Sequence, residues 1–271
     1  MLKLFLVIGL SLAAVSAEAE ASGSVPGDRP TARLFQATTS DGAWTAGLEI
    51  TLAEDWKTYW RVPGESGIPP QFDWSGSTNL RSVTIGWPAP RRFRDAAGET
   101  IGYSNRIVFP LRVEPVDAAK PIGLALSLFY GVCKDVCIPA AADLKLKLSL
   151  SSSTNVADQA LLERFAARIP LGANESVLPR IAALRLRRHA GGSVLEIALT
   201  APLPAQATDI FVEGFAKAHF RAPAAAEPGT KSSTFHLKID GLGSPDELRG
   251  KELLVTIVQG PASLVQSLKV E

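Results

Sequence analysis

Cysteine is scarce in this chain of 271 residues: there are two, Cys133 and Cys137, and both lie in the run GVCKDVCIP. Methionine occurs once, at the start, and the three histidines, His189, His219 and His236, all lie in the second half. A copper site built on the two sulfurs would have to find its third soft or imidazole ligand far along the chain. An excess of charge is lacking too: 28 Lys and Arg face 27 Asp and Glu, a formal net charge of +1 with the two signs interspersed. That excludes the basic stripe of a nucleic-acid binder and the polybasic patch of a membrane-surface protein. Long apolar runs are missing past the first residues, so no later stretch reads as a membrane span.

The beginning of the chain sets the expected compartment. Met1–Ala21 carries one early cation, Lys3, an apolar run from Leu4 to Val15, and then small residues in V-S-A and A-E-A patterns. This is the order of a secretory signal, cleaved near Ala17 or Ala19. The run falls short of the roughly 20 residues a span needs, and no cysteine adjoins the cleavage site to carry a lipid anchor. The mature chain is expected to be soluble in an exported, oxidising space, with no membrane span and both cysteines retained.

What is present is alternation. Trp44, Ala46, Leu48, Ile50 and Leu52 are spaced by polar or small residues, the period of a half-buried strand. The same period runs through Ile107 to Val113, through Ile122 to Tyr130 and through Leu144 to Leu150, with Lys145, Lys147 and Ser149 facing out. Gly/Pro-rich turns such as PGESGIPP separate the strands, as in an antiparallel sandwich. The pattern changes once: VADQALLERFAARI sets Leu161, Leu162, Phe165, Ala166 and Ile169 at helical spacing, a short helix expected to pack across the junction of two halves. Strands resume near Pro179, at Leu184/Leu186, Leu195/Ile197/Leu199, Phe235/Leu237/Ile239 and Leu253/Val255/Ile257. The expected fold is all-β, two immunoglobulin-like antiparallel sandwiches joined by a helix-containing linker. Its divisions are a signal over 1–21, a first sandwich over 22–150, a linker over 151–175 and a smaller sandwich over 176–271. Each half is large enough for its own core, so neither needs a disulfide as a staple.

The cysteines therefore sit where one strand ends and the next is about to begin. In a straight strand residues four apart are about 13 Å from each other, too far for a disulfide, so the segment has to fold back through Lys134, Asp135 and Val136. A ring this small removes only about 2 kcal/mol of chain entropy, against about 4.7 for a hundred-residue loop. It is a poor staple, and tight, exposed disulfides tend to be the labile ones. Three readings stay open on these residues: a redox-active pair, a structural hairpin disulfide, or a metal site like the C-x-x-x-C of Sco-type copper carriers. His236 alternates with Phe235 and Leu237 on a solvent face, which suits an exposed strand residue better than a ligand. Lys134 favours a thiolate and Asp135 opposes it, so local charge does not single out the attacking sulfur.

The runs DWKTYWRVPGESGIPPQFDW, WPAPRRF, IGYSNRIVFPLRVEP and LFYGVCKDVCIPAAADLKL, in that order over roughly residues 40–150, resemble the N-terminal periplasmic domain of the DsbD family of thiol:disulfide interchange proteins. The ScsB-like branch, associated with copper tolerance, is the nearest in pattern. The resemblance implies an immunoglobulin-like sandwich whose Cys133–Cys137 pair is the catalytic centre, a protein-disulfide reductase component with no cofactor beyond its own disulfide and no bound metal. Electrons would come from a membrane-embedded donor, on another polypeptide since this chain stops at Glu271, and pass to a thioredoxin-like periplasmic acceptor. It also implies Tyr59 and Tyr130 close to the cysteines, with Trp60 and Tyr103 as further supporting or cap residues and Arg94–Tyr103 as the cap loop. Trp74 and Trp87 read as core aromatics, and Asp73 and Arg61 as surface or turn residues. The contrasting class is a copper-binding or chaperone-like module in which the disulfide only braces a loop.

Overall fold

A computed structural model describes residues 30–43, 45–95, 98–149, 155–189, 192–224 and 229–271. The expected signal at 1–21 and the first member of the earliest alternating run, Trp44, lie outside the described residues. The first half holds β1 (Thr31–Gln36), β2 (Ala46–Thr51), β3 (Lys57–Gly64), β4 (Gln71–Asp73), β5 (Leu80–Ile85), β6 (Arg91–Asp95), β7 (Gly98–Ser104), β8 (Arg106–Pro115), β9 (Ile122–Cys133) and β10 (Cys137–Leu148). One sheet runs β1-β2-β8-β5, the other β10-β9-β3-β7-β6 with β4 also on β9. Asn105, in the left-handed region at φ 64°, turns the chain from β7 in one sheet to β8 in the other. Asparagine tolerates that conformation better than most residues.

The alternation does what its period dictates. Along β9, Ile122, Leu124, Leu126, Leu128, Tyr130 and Val132 are buried between the sheets. Each such side chain contributes on the order of 1.5–3 kcal/mol relative to exposure. In β8 the neighbours Ile107, Val108 and Phe109 are all buried, so that strand is covered on both faces. Phe109 meets Phe72, Trp87 and Tyr103 edge-to-face on the inner side.

The cover on the other side is α1 (Val156–Ala166), which packs on β8. Asn155 caps it, its side chain accepting from the backbone N–H of Ala157 at 2.8 Å, and Asp158 in its first turn meets Arg33 at 2.7 Å. Both features favour a helix start. The helix was expected across the junction; instead its buried side chains, Leu162 and Phe165, join the first core. The reason is that β8 presents an apolar outer face that a sheet strand alone leaves in water.

The second half holds β11 (Leu171–Gly172), β12 (Ile181–His189), β13 (Gly192–Pro204), β14 (Thr208–Glu213), β15 (His219–Pro223), β16 (Lys231–Asp240), β17 (Glu252–Gln259) and β18 (Ala262–Lys269). Its sheets run β11-β18-β17-β14 and β12-β13-β16-β15 around a separate core that includes Leu195, Ile197, Leu237 and Val255. Its strands pair antiparallel except β11 with β18, a further parallel bridge joins Leu184 to Val270, and β11 falls within the stretch expected as linker. The molecule is thus all-β with two immunoglobulin-like sandwiches and one α-helix among the described residues.

The end strands β14 and β15 meet the first sandwich. Arg61 makes a bidentate pair with Glu213 (2.6 and 2.7 Å), so it is an interdomain residue rather than the surface or turn residue expected. Arg92 donates to the Ile210 carbonyl at 2.8 Å and pairs with Asp209 at 3.1 Å. Trp60 and Phe211 pack edge-to-face at 5.8 Å, worth about 0.5–1.5 kcal/mol beyond the area they bury.

Candidate functional site

The strands β9 and β10 run up to the two cysteines, leaving Lys134, Asp135 and Val136 as the turn. Cys133 and Cys137 are directly opposed in register, their Cα atoms 4.1 Å apart, and are joined by a disulfide. Cys133 is 2% exposed, whereas Cys137 is only partly buried. The hairpin tip is tethered by an ion pair between Lys134 and Asp55 at 3.2 Å.

Strand parity decides which side chains surround the bond. Even-numbered residues of β9 enter the core, so Gly131 and Cys133 face the other side of the sheet. On neighbouring β3, Lys57 is the register partner of Cys133 and Thr58 that of Val132. Tyr59 follows on the cysteine side, its hydroxyl 3.1 Å from Cys137 Sγ. The Tyr59 ring fills the space over Gly131: a Cβ there would stand 2.9 Å from the ring and 2.7 Å from Ile68. Gly67 makes the matching approach from above, its absent Cβ 2.6 Å from the same ring. Tyr59 is thereby held between two glycines and is 1% exposed. Lys57 is buried, donating to Thr100 Oγ1 at 3.1 Å.

The other three expected supporting residues are elsewhere. Tyr130 is an odd number of residues from Cys133, so it points into the core, and burial raises its hydroxyl above the ordinary 10.0. Trp60 follows Tyr59 and takes the opposite face, against Phe211. Tyr103 is buried on β7, donates to the Pro88 carbonyl at 2.8 Å and is pushed well above 10.0 by burial. The expected cap Arg94–Tyr103 is the end of β6, the turn and most of β7, not a flap over the bond, and residues 96 and 97 lie outside the described residues. The segment after β3 lies on this face instead, with Gly67 against Tyr59 and Ile68 against Gly131. The signal in PGESGIPP is Gly67 followed by Ile68, which turn composition alone does not distinguish from an ordinary loop. Asp73 accepts from Ser75 N–H at 2.9 Å in a turn, as expected.

Three large apolar side chains of this hairpin stay in water: Val136 in the turn is 71% exposed, Ile138 next to Cys137 46%, and Phe129, four residues before Cys133, 39%. Exposed apolar residues on either side of Cys137 in the chain are what a docking protein would cover. Among the described residues no group of three or more His, Cys, Asp or Glu side chains is arranged so that it could hold a metal ion. His236 is exposed and 3.5 Å from Glu196 on the second sandwich.

Comparison with known proteins follows the same division of the chain. Residues 29–149 match the family model for the N-terminal part of the thiol:disulfide interchange protein DsbD. The first sandwich is therefore similar to a DsbD N-terminal domain. Residues 169–271 match a family model described only as a domain of unknown function. Among solved structures, the N-terminal periplasmic domain of ScsB from Proteus mirabilis matches with a TM-score of 0.69 at 22% identity, over 91% of this chain and 96% of that one. The two-sandwich fold therefore has a counterpart over nearly its whole length. The DsbD N-terminal domain of Neisseria meningitidis in its reduced form matches at 14% identity over 44% of this chain and 83% of its own, with a TM-score of 0.27. No curated protein matches. The residues that match the DsbD model carry both cysteines and Tyr59, and no helix among the described residues is long and apolar enough to cross a membrane.

Proposed function

We propose that the protein is a periplasmic thiol:disulfide interchange protein that relays electrons through Cys133 and Cys137, from a membrane-embedded donor to an oxidised thioredoxin-like acceptor, with no cofactor beyond the disulfide. One observation carries this reading: the disulfide closes a three-residue turn at the tip of a hairpin, with Tyr59 Oη 3.1 Å from the sulfur of the less buried cysteine, Cys137, which exposed Val136 and Ile138 flank in the chain. A bond placed there braces little and is open to a partner.

The step balances as follows. In the reduced protein the Cys137 thiolate attacks one sulfur of the acceptor's disulfide, and the acceptor's other sulfur leaves as a thiolate. Cys133, deprotonated, then attacks Cys137 Sγ in the mixed disulfide and expels the acceptor's first sulfur. Two electrons pass to the acceptor, whose sulfurs take up the two protons, and the Cys133–Cys137 bond is re-formed. A donor dithiol reverses the sequence. Tyr59 Oη supports Cys137 as the attacking atom, because a hydroxyl donated to that sulfur stabilises its negative charge.

The test is trapping. Cys133→Ala leaves Cys137 unable to be released from a mixed disulfide and should accumulate a reducible adduct on non-reducing electrophoresis, more than Cys137→Ala does. Equal trapping would overturn the assignment of the attacking sulfur but spare the relay. No adduct from either variant, while the wild type cycles between redox states, would leave the disulfide a brace.

A further inference from the structure

A chain of contacts runs from the segment that packs on Tyr59 into the second sandwich. Glu65 roots the segment that follows β3: its N–H donates to the Glu99 carbonyl and its carboxylate accepts from Glu99 N–H, each at 3.2 Å. The same carboxylate meets Arg221 of β15 at 2.5 Å, and Arg221 is held in turn by Asp240 of β16 at 2.5 Å. Glu99 is drawn in as well, accepting from the N–H of Ala222 at 3.2 Å. Just beyond Glu65, Gly67 and Ile68 lie on Tyr59 and over Gly131. The halves are also joined through Arg61–Glu213 and through Arg92, which pairs with Asp209 as well as Glu99, so removing Arg221 leaves two of the interdomain pairs in place.

We propose that Arg221 is a positioning residue through which the second sandwich controls access to the Cys133–Cys137 bond. By holding Glu65 it keeps the Gly67–Ile68 segment down on Tyr59 and Gly131. The purpose of this latch rests on the exchange reading, whereas its existence is a matter of geometry and is tested without any exchange partner.

The full chain is reduced, and the rate at which iodoacetamide alkylates its thiols is compared for the wild type, Arg221→Ala, Glu65→Gln and Arg221→Lys. Amide hydrogen exchange over residues 65–70 is followed alongside. For a half-exposed ion pair the expected rise is about two- to fivefold in Arg221→Ala and Glu65→Gln, with Arg221→Lys close to the wild type. Molar salt should bring the wild type toward the variants. Identical alkylation and exchange in all four proteins would overturn the latch. So would faster exchange spread through β14 and β15, since the halves would then have come apart. Faster alkylation in a protein whose wild type never exchanges with a thioredoxin-like partner would sink the relay and leave the latch standing.

Discussion

At the scale of single residues, Tyr59 is the side chain whose chemistry is most exposed to test. Tyr59→Phe keeps the ring between Gly67 and Gly131 and removes only the hydroxyl beside Cys137 Sγ. Thermal stability should change little, while disulfide exchange slows about tenfold, the value of one hydrogen bond to a charged group. Stopped-flow reaction with an oxidised thioredoxin-like protein reads it, and an unchanged rate would make Tyr59 mere packing. The alternation of a strand already contained half of this site. Tyr130 stands three residues before Cys133, so a straight β9 sends the two to opposite faces, and the expectation that Tyr130 guards the bond overlooked its own period. The position of Tyr59 was not legible that way. It depends on β3 lying beside β9, a pairing between distant segments that no local pattern encodes, and the family resemblance supplied it.

At the scale of elements, the segment that follows β3 is tied down by charges that titrate. Glu65 is held below the ordinary 4.5, first by the hydrogen bond from Arg221 and then by the N–H of Glu99. Asp240 is held below 3.8, chiefly by the same arginine. A carboxylate whose folded value is depressed stabilises at pH above its ordinary value and loses that contribution as pH falls through the lowered one. Amide exchange over residues 65–70, corrected for its intrinsic pH dependence, should therefore accelerate below about pH 4.5, and Glu65→Gln should be fast and nearly flat across the same range. A wild type that stays protected down to the pH of global unfolding would show that backbone contacts alone hold the segment. Strands were legible wherever apolar residues alternated, and the hairpin at the cysteines followed from the distance a disulfide spans. The seat of α1 was not. Its apolar stripe at Leu162 and Phe165 says that it must be covered, and only the buried outer face of β8 says by what.

At the scale of the whole molecule, two sandwiches were legible from length and from the single helical interruption, but the interface between them was not, because Arg61, Arg92 and Arg221 read as ordinary surface charges until their partners are in place. That interface buries Phe211, which belongs to the second half by sequence and to the first core by packing. It also sits on β14 and β15, the terminal strands of their sheets. Prepared separately, residues 30–168, which keep α1 over β8, should stay monomeric and keep the disulfide, whereas residues 169–271 should associate with one another at micromolar concentration, since Phe211 and two strand edges are then bare. Light scattering on each half measures this, and a monomeric second half would mean its edges are shielded by their own twist. The first sandwich also emerges first during synthesis. By the time β14 and β15 form, the surface that caps them is already folded, so neighbouring nascent chains find no open strand to pair with, and the order of the two halves along the gene is itself a guard against aggregation.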